Sequence, residues 1–141
     1  MTRPPLVSLP ARVAGVLDIP LHRFLGLALL EPSRPEVGVV LEVGAPALNN
    51  AGVLHGGIVT ALLDVACYLA LLPELGDDQN AVTHDVTVSL MRAVPPGATV
   101  HLRGSVVRRG RSLAFLRAEA SVEGAVVATG QVTKTLVQLS S

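Results

Sequence analysis

Two hydrophobic periodicities divide the chain. Over residues 56–72 apolar side chains fall nearly all round a helix (Ile58, Val59, Ala61, Leu62, Leu63, Val65, Ala66, Leu69 and Leu71). That pattern predicts one long helix, buried on most sides and stopped by Pro73. A polar connection follows over 74–80, and from there the period is two. In 81–90, Val82, Val86, Val88 and Leu90 share one face, and Thr83, Asp85, Thr87 and Ser89 the other. The inner set is Val100, Leu102, Gly104 and Val106 in 99–109, and Ala114, Leu116, Ala118, Ala120 and Val122 in 112–123. In 125–138 it is Val126, Ala128, Gly130, Val132 and Leu136. Turns at Pro95-Pro96-Gly97, Arg109-Gly110 and Glu123-Gly124 make these four successive antiparallel strands.

Ahead of the helix, residues 1–10 form an unpatterned lead-in. A short helix is expected near 11–17, a turn at 22–25, strands at 26–31 and 36–43, and a loop over 44–54. Small residues crowd the inner faces of the last three strands (Gly104, Ala114, Ala118, Ala120, Ala128 and Gly130). A sheet that curls closely round a helix needs them there. The expected fold is α+β, with a curved antiparallel sheet of five to six strands wrapped around one long central helix. It forms a single domain, with 1–25 as lead-in and short helix and 26–141 as the body.

Composition narrows the function. Half of the 141 residues are apolar and 16% are charged, which excludes a disordered chain. The formal net charge is zero and there is no long charge run, so neither nucleic acid nor a membrane surface is the expected partner. The richest apolar stretch contains Thr60 and Asp64 and reads as a core helix rather than a membrane span. No signal-peptide pattern is seen, and the single Cys67 allows no internal disulfide, so a cytoplasmic location is expected. Low net charge with abundant apolar residues points to surface covered by another subunit.

One acid, Asp64, interrupts the apolar helix, and a carboxylate there is costly unless it is paired or used. It follows His55-Gly56-Gly57 at the helix start, with Asn49 and Gly52 upstream. The pattern Asn49-x-x-Gly52-x-x-His55-Gly56-Gly57, then Leu62-x-Asp64, resembles the hotdog-fold acyl-CoA thioesterases of the PaaI-like (phenylacetate-pathway) group. The similarity spans roughly 24–136, through Phe24-Leu25-Gly26, Thr83-His84-Asp85-Val86-Thr87-Val88, Gly110-Arg111-Ser112-Leu113-Ala114-Phe115 and Ala128-x-Gly130-x-Val132-x-Lys134.

The resemblance implies hydrolysis of an aryl- or short- to medium-chain acyl-CoA thioester to free acid and CoA. Asp64 would be the nucleophile or general base, and the Gly57 amide at the positive helix end would hold the developing oxyanion, with Gly56 leaving room for the thioester. Asn49 would position the water or the carbonyl, His55 would hold the loop or contact substrate, and Thr83 would assist the acid. Gly57 and Asp64 stand on nearly the same helix face, but about 10 Å apart along the axis. Two helices antiparallel about a two-fold axis would bring Asp64 of one subunit to Gly57 of the other, giving a homodimer, itself pairing into a dimer of dimers.

Arg108, Arg109 and Arg111, with Ser112 in the same hairpin, are candidate contacts for the phosphates of CoA, although an exposed basic turn is common. No separate cofactor is implied, since CoA belongs to the substrate, and the four histidines show no metal-ligand spacing. Cys67 is expected to be buried packing, and His84 a satisfied core or interface histidine. The acyl pocket would be lined by Leu62, Leu63, Val65, Leu69 and Tyr68. The alternatives are a non-catalytic acyl-CoA-binding domain and, less fitting to His55 and Asp64, a dehydratase of 3-hydroxyacyl thioesters.

Overall fold

A computed structural model of the protein describes residues 9–139. Most of the expected lead-in therefore lies outside the described residues, and Leu9 and Pro10 already belong to helix α1 (Leu9–Leu17). The predicted turn at 22–25 is a second short helix, α2 (Pro20–Leu25), with Pro20 at its first turn where no amide donor is missed. The first two strands are shorter than expected: β1 is Ala28–Leu29 and β2 is Val39–Glu42. Pro35–Val37 winds into a 3₁₀ turn instead of extending. The central helix α3 (Gly56–Leu71) passes directly into a 3₁₀ turn, Leu72–Glu74, that contains Pro73.

Four long strands follow among the described residues: β3 (Gln79–Leu90), β4 (Thr99–Arg109), β5 (Leu113–Val122) and β6 (Ala125–Gln138). All strands pair antiparallel in one six-stranded sheet of order β1-β2-β4-β5-β6-β3. Glu123 and Gly124 both take positive φ (51° and 80°), the geometry of a two-residue hairpin that matches strand twist. The sheet curls around α3 in the hotdog arrangement, and Leu62, Leu63, Ala66, Cys67, Leu69 and Leu71 are buried against it.

The predicted small residues sit where helix and sheet meet. Ala114, Ala118, Ala120 and Ala128 are buried, and a Cβ on Gly104 would lie 2.6 Å from the Ala66 carbonyl oxygen. With its terminal turn, the helix (Gly56–Glu74, 19 residues) is long and apolar enough to cross a bilayer, but here one side of it packs on the sheet. The other side is a stripe through Gly57, Ala61, Asp64, Val65 and Tyr68 that the sheet leaves partly open.

Three bulges correct the simple period-two reading. In β3 the register shifts between Thr83 and Asp85, so Thr83 faces Lys134 and Val86 faces Val132 on one and the same inner face. His84 is the extra residue, and it is exposed rather than part of a core. Val82, expected inside, is 51% exposed. A second bulge between Val106 and Arg108 turns Arg109 to the inner register opposite Ala114. A third, at Ala120/Ser121, puts Val127 rather than Val126 into the core.

Candidate active site

The inner ends of β3 and β6 converge on the middle of α3. Asp64 is 29% exposed there and two side chains hold it. Thr83 Oγ1 lies 2.9 Å from Asp64 Oδ1 and 2.8 Å from Oδ2, and Lys134 Nζ donates to Oδ1 at 2.7 Å. Lys134 Nζ also donates to Thr83 Oγ1 at 3.0 Å. The acid in the apolar helix is thus paired with a buried cation. The bulge is what makes Thr83 a partner, since without the extra residue Thr83 and Val86 would face opposite sides of the sheet. Tyr68, one turn along α3, lies under Lys134 with the ammonium 5.5 Å from its ring centroid, and its hydroxyl donates to Asn80 Oδ1 at 2.7 Å.

This cluster opens into a cavity of about 370 Å³ between α3, β3 and the two N-terminal helices, with Val16, Ile19, Val65, Tyr68 and Ala81 among its walls. Of the expected acyl-pocket residues only Val65 and Tyr68 reach it. Leu62, Leu63 and Leu69 point into the core at 0–1% exposure. Arg12 and His22 also border the cavity, and His22 Nδ1 pairs with the Val16 carbonyl at 2.7 Å.

The helix N-terminus is built differently from expectation. His55 is the N-cap, and its Nδ1 accepts the Gly57 amide at 2.8 Å, so the imidazole already occupies the predicted oxyanion donor. The Gly56 amide has no hydrogen-bond partner among the described residues. A Cβ on Gly56 would lie 2.6 Å from Leu90 Cδ1, and one on Gly57 2.9 Å from the His55 ring. Asn49 uses its Oδ1 within the loop, accepting from Ala51 at 2.9 Å and Val53 at 3.2 Å. Gly56 and Asn49 line a second cavity of about 260 Å³, which does not include Asp64. Within one chain, then, the acid cluster and the helix N-terminus lie at separate cavities.

The arginine hairpin is divided by its bulge. Arg109 turns inward and donates to Gln79 Oε1 at 2.9 Å, while Arg108, Arg111 and Ser112 remain exposed. Cys67 is fully buried. Burial pushes its thiol up to about 12, with Lys134 opposing and Asp64 adding to the shift. The group stays protonated and unreactive at neutral pH. His84 Nδ1 lies 3.3 Å from Thr135 Oγ1 at the surface. Among the described residues, no group of three or more His, Cys, Asp or Glu is placed to hold a metal. The residue that sequence reasoning passed over is Lys134. The signal was present: it is the one charge in the apolar inner register of 126–136.

Comparison with known proteins agrees with this geometry. The Thioesterase superfamily profile matches residues 51–129, from the loop before the helix into β6. Acyl-coenzyme A thioesterase 13 of Homo sapiens is 30% identical over 119 residues, covering 82% of this chain and 84% of that protein. A variant of the phenylacetic acid degradation protein PaaI from Thermus thermophilus superposes with a TM-score of 0.72 at 31% identity, covering 83% of this chain and 98% of the other. A conserved protein from Pseudomonas aeruginosa, PA5202, superposes with a TM-score of 0.76 at 29% identity, covering 87% and 98%. The family match and the acyl-CoA thioesterase relative make a chain with this helix and sheet a thioester hydrolase. The chain belongs to the thioesterase superfamily, within its PaaI-like hotdog acyl-CoA thioesterases.

Proposed function

We propose that the protein hydrolyses an aryl- or short- to medium-chain acyl-CoA thioester to the free acid and CoA, at a site completed by two subunits. The observation that carries this reading is the Asp64–Thr83–Lys134 cluster beside a cavity of mixed polar and apolar walls, on the helix face left open by the chain's own sheet. Gly57 and Ala61 make that stripe narrow enough for a second copy of the helix to approach. The 12-residue edge strand β3, with Leu90 at 56% and Val82 at 51% exposure, offers a pairing edge beside it. A two-fold pair would bring Asp64 to the partner's Asn49 and Gly56. Val107 and Phe115, 53% and 42% exposed on the outer sheet face, are surface that a dimer of dimers would cover.

In this arrangement Asp64 is the general base. Oδ1 is engaged by both Lys134 and Thr83, and Oδ2 by Thr83 alone, so Oδ2 keeps a lone pair for a water. The water loses its proton to Oδ2 and attacks the thioester carbon. The carbonyl electrons move onto oxygen, and CoA leaves as the thiolate when the carbonyl re-forms. The oxyanion sits at the α3 N-terminus of the partner, on the Gly56 amide and on Asn49 Nδ2, since Asn49 Oδ1 is committed to its loop. The Gly57 amide joins them when the His55 ring turns away. The acyl group enters the cavity beside Tyr68, and Arg108, Arg111 and Ser112 remain available to phosphate. A lone buried cysteine with no disulfide to form fits a reducing compartment such as the cytoplasm.

Free-thiol release over a panel of aryl- and alkyl-CoA esters tests the reading. On the best ester turnover is expected at roughly 1 s⁻¹ or faster. Tight binding of CoA esters with no thiol released would instead make this a binding domain.

A further inference from the structure

The mechanism above gives the carboxylate its task and uses the cation only as one of the two groups that occupy Oδ1. Lys134 is 2% exposed and lies on the inner face of β6, between Val132 and Leu136. Packing alone does not call for a charge there, because an apolar side chain would fill the register as Val132 does. A buried ammonium is costly unless its donors are satisfied, and replacing a buried ion pair with apolar residues is often neutral or stabilising. Stability alone therefore does not account for Lys134.

Its contacts suggest what it does. An ammonium has donors only, so at 3.0 Å Thr83 Oγ1 must accept from Lys134. The single hydroxyl proton of Thr83 is then free only to point at the Asp64 carboxylate, 2.8–2.9 Å away. The same ammonium ties down Oδ1 at 2.7 Å, and the face of the Tyr68 ring supports it from below. Lys134 thus fixes the direction of the Thr83 hydrogen bond and the rotation of the carboxylate together. Oδ2 is left as the carboxylate oxygen that Lys134 does not occupy.

We propose that Lys134 is a positioning residue for hydrolysis, acting through Asp64 and Thr83 to present Asp64 Oδ2 to the attacking water. This rests on Asp64 being the base of the proposed thioesterase. It predicts that Lys134 matters for turnover rather than for substrate binding, and only while Asp64 can act as a base.

A double-mutant cycle with Lys134→Met, Asp64→Asn and the two combined, read by steady-state thiol release, tests it. Lys134→Met is expected to lower kcat roughly 10- to 100-fold with KM changed less than about 3-fold. In the Asp64→Asn background the same change should cost less than about 3-fold, because the group it positions is already disabled. Tyr68 is the only tyrosine and the chain has no tryptophan, so intrinsic emission reports whether the site is still folded. Should Lys134→Met not fold, Lys134→Gln, which keeps a donor, carries the same comparison. Equal losses in both backgrounds, or a loss confined to KM, would overturn the proposal while leaving the thioesterase reading intact. A wild-type protein that releases no thiol from any ester would overturn both.

Discussion

Asp64→Asn is expected to lower kcat for thioester hydrolysis at least ~100-fold while the protein still folds, melting closer to wild type than Asp64→Ala does. An asparagine keeps an oxygen that can accept from Lys134 and Thr83, so the cluster retains its shape. What it loses is the ability to take a proton from water. Asp64→Ala is a poorer probe. It removes the main partner of a cation that is 2% exposed and leaves that charge with only the Thr83 hydroxyl and an aromatic face. Breaking such a pair costs on the order of 3 kcal/mol, so the alanine variant should lose turnover and melt lower as well. Thiol release together with thermal unfolding separates the two variants. Turnover like wild type in folded Asp64→Asn would remove Asp64 from the chemistry.

The largest effect on the fold is expected at Gly104, far from any reacting group. A Cβ there would meet three backbone atoms: Ala66 O at 2.6 Å, Ala66 C at 2.8 Å and Cys67 N at 2.9 Å. None of these can rotate aside, so relief requires moving α3 away from β4. That movement opens the layer of buried leucines on either side. Gly104→Val is expected to destabilise by about 3 kcal/mol and lower the melting temperature by roughly 10 °C. Gly130→Ala is the matched control. Its Cβ would approach Leu63 Cδ1 at 3.4 Å and other atoms no closer than 3.5 Å, which is ordinary contact, so a change within about 1 kcal/mol is expected. A Gly104→Val protein that melts like wild type would show that helix and sheet are not in contact here. Because α3 carries Asp64, the same displacement should also reduce turnover.

The long helix and the four long strands were legible because their apolar periods run for many residues, from Ile58 to Leu71 and along the alternating face of β5. The shorter β1 and β2 were not, since Pro35 sets a 3₁₀ turn that reads locally like an extended run. From the residue pattern alone the site was legible as far as Asp64, which stands out as an acid in apolar surroundings, and the family resemblance added Thr83, which the structure does bring to the acid. Its partners were harder to see because a bulge adds one residue and reverses every side chain beyond it, with no signature in a period-two pattern. Thr83 was therefore expected on the polar face and lies on the inner one, and Arg109 was grouped with Arg108 but faces inward to Gln79. Asn49 and His55 show a different limit. Residue type does not tell whether a side chain serves a ligand or its own loop, and here Asn49 Oδ1 and His55 Nδ1 are both engaged locally.

The claim that one active site is made by two chains is tested most directly by complementation. Asp64→Asn and Asn49→Ala proteins, each nearly inactive alone, are mixed, unfolded, refolded together and assayed for thiol release. Random pairing gives about half heterodimers, each with one site that has both Asp64 and Asn49 intact, so about a quarter of wild-type activity should return. Activity no greater than that of the two separate variants would contradict a site shared across the two-fold axis.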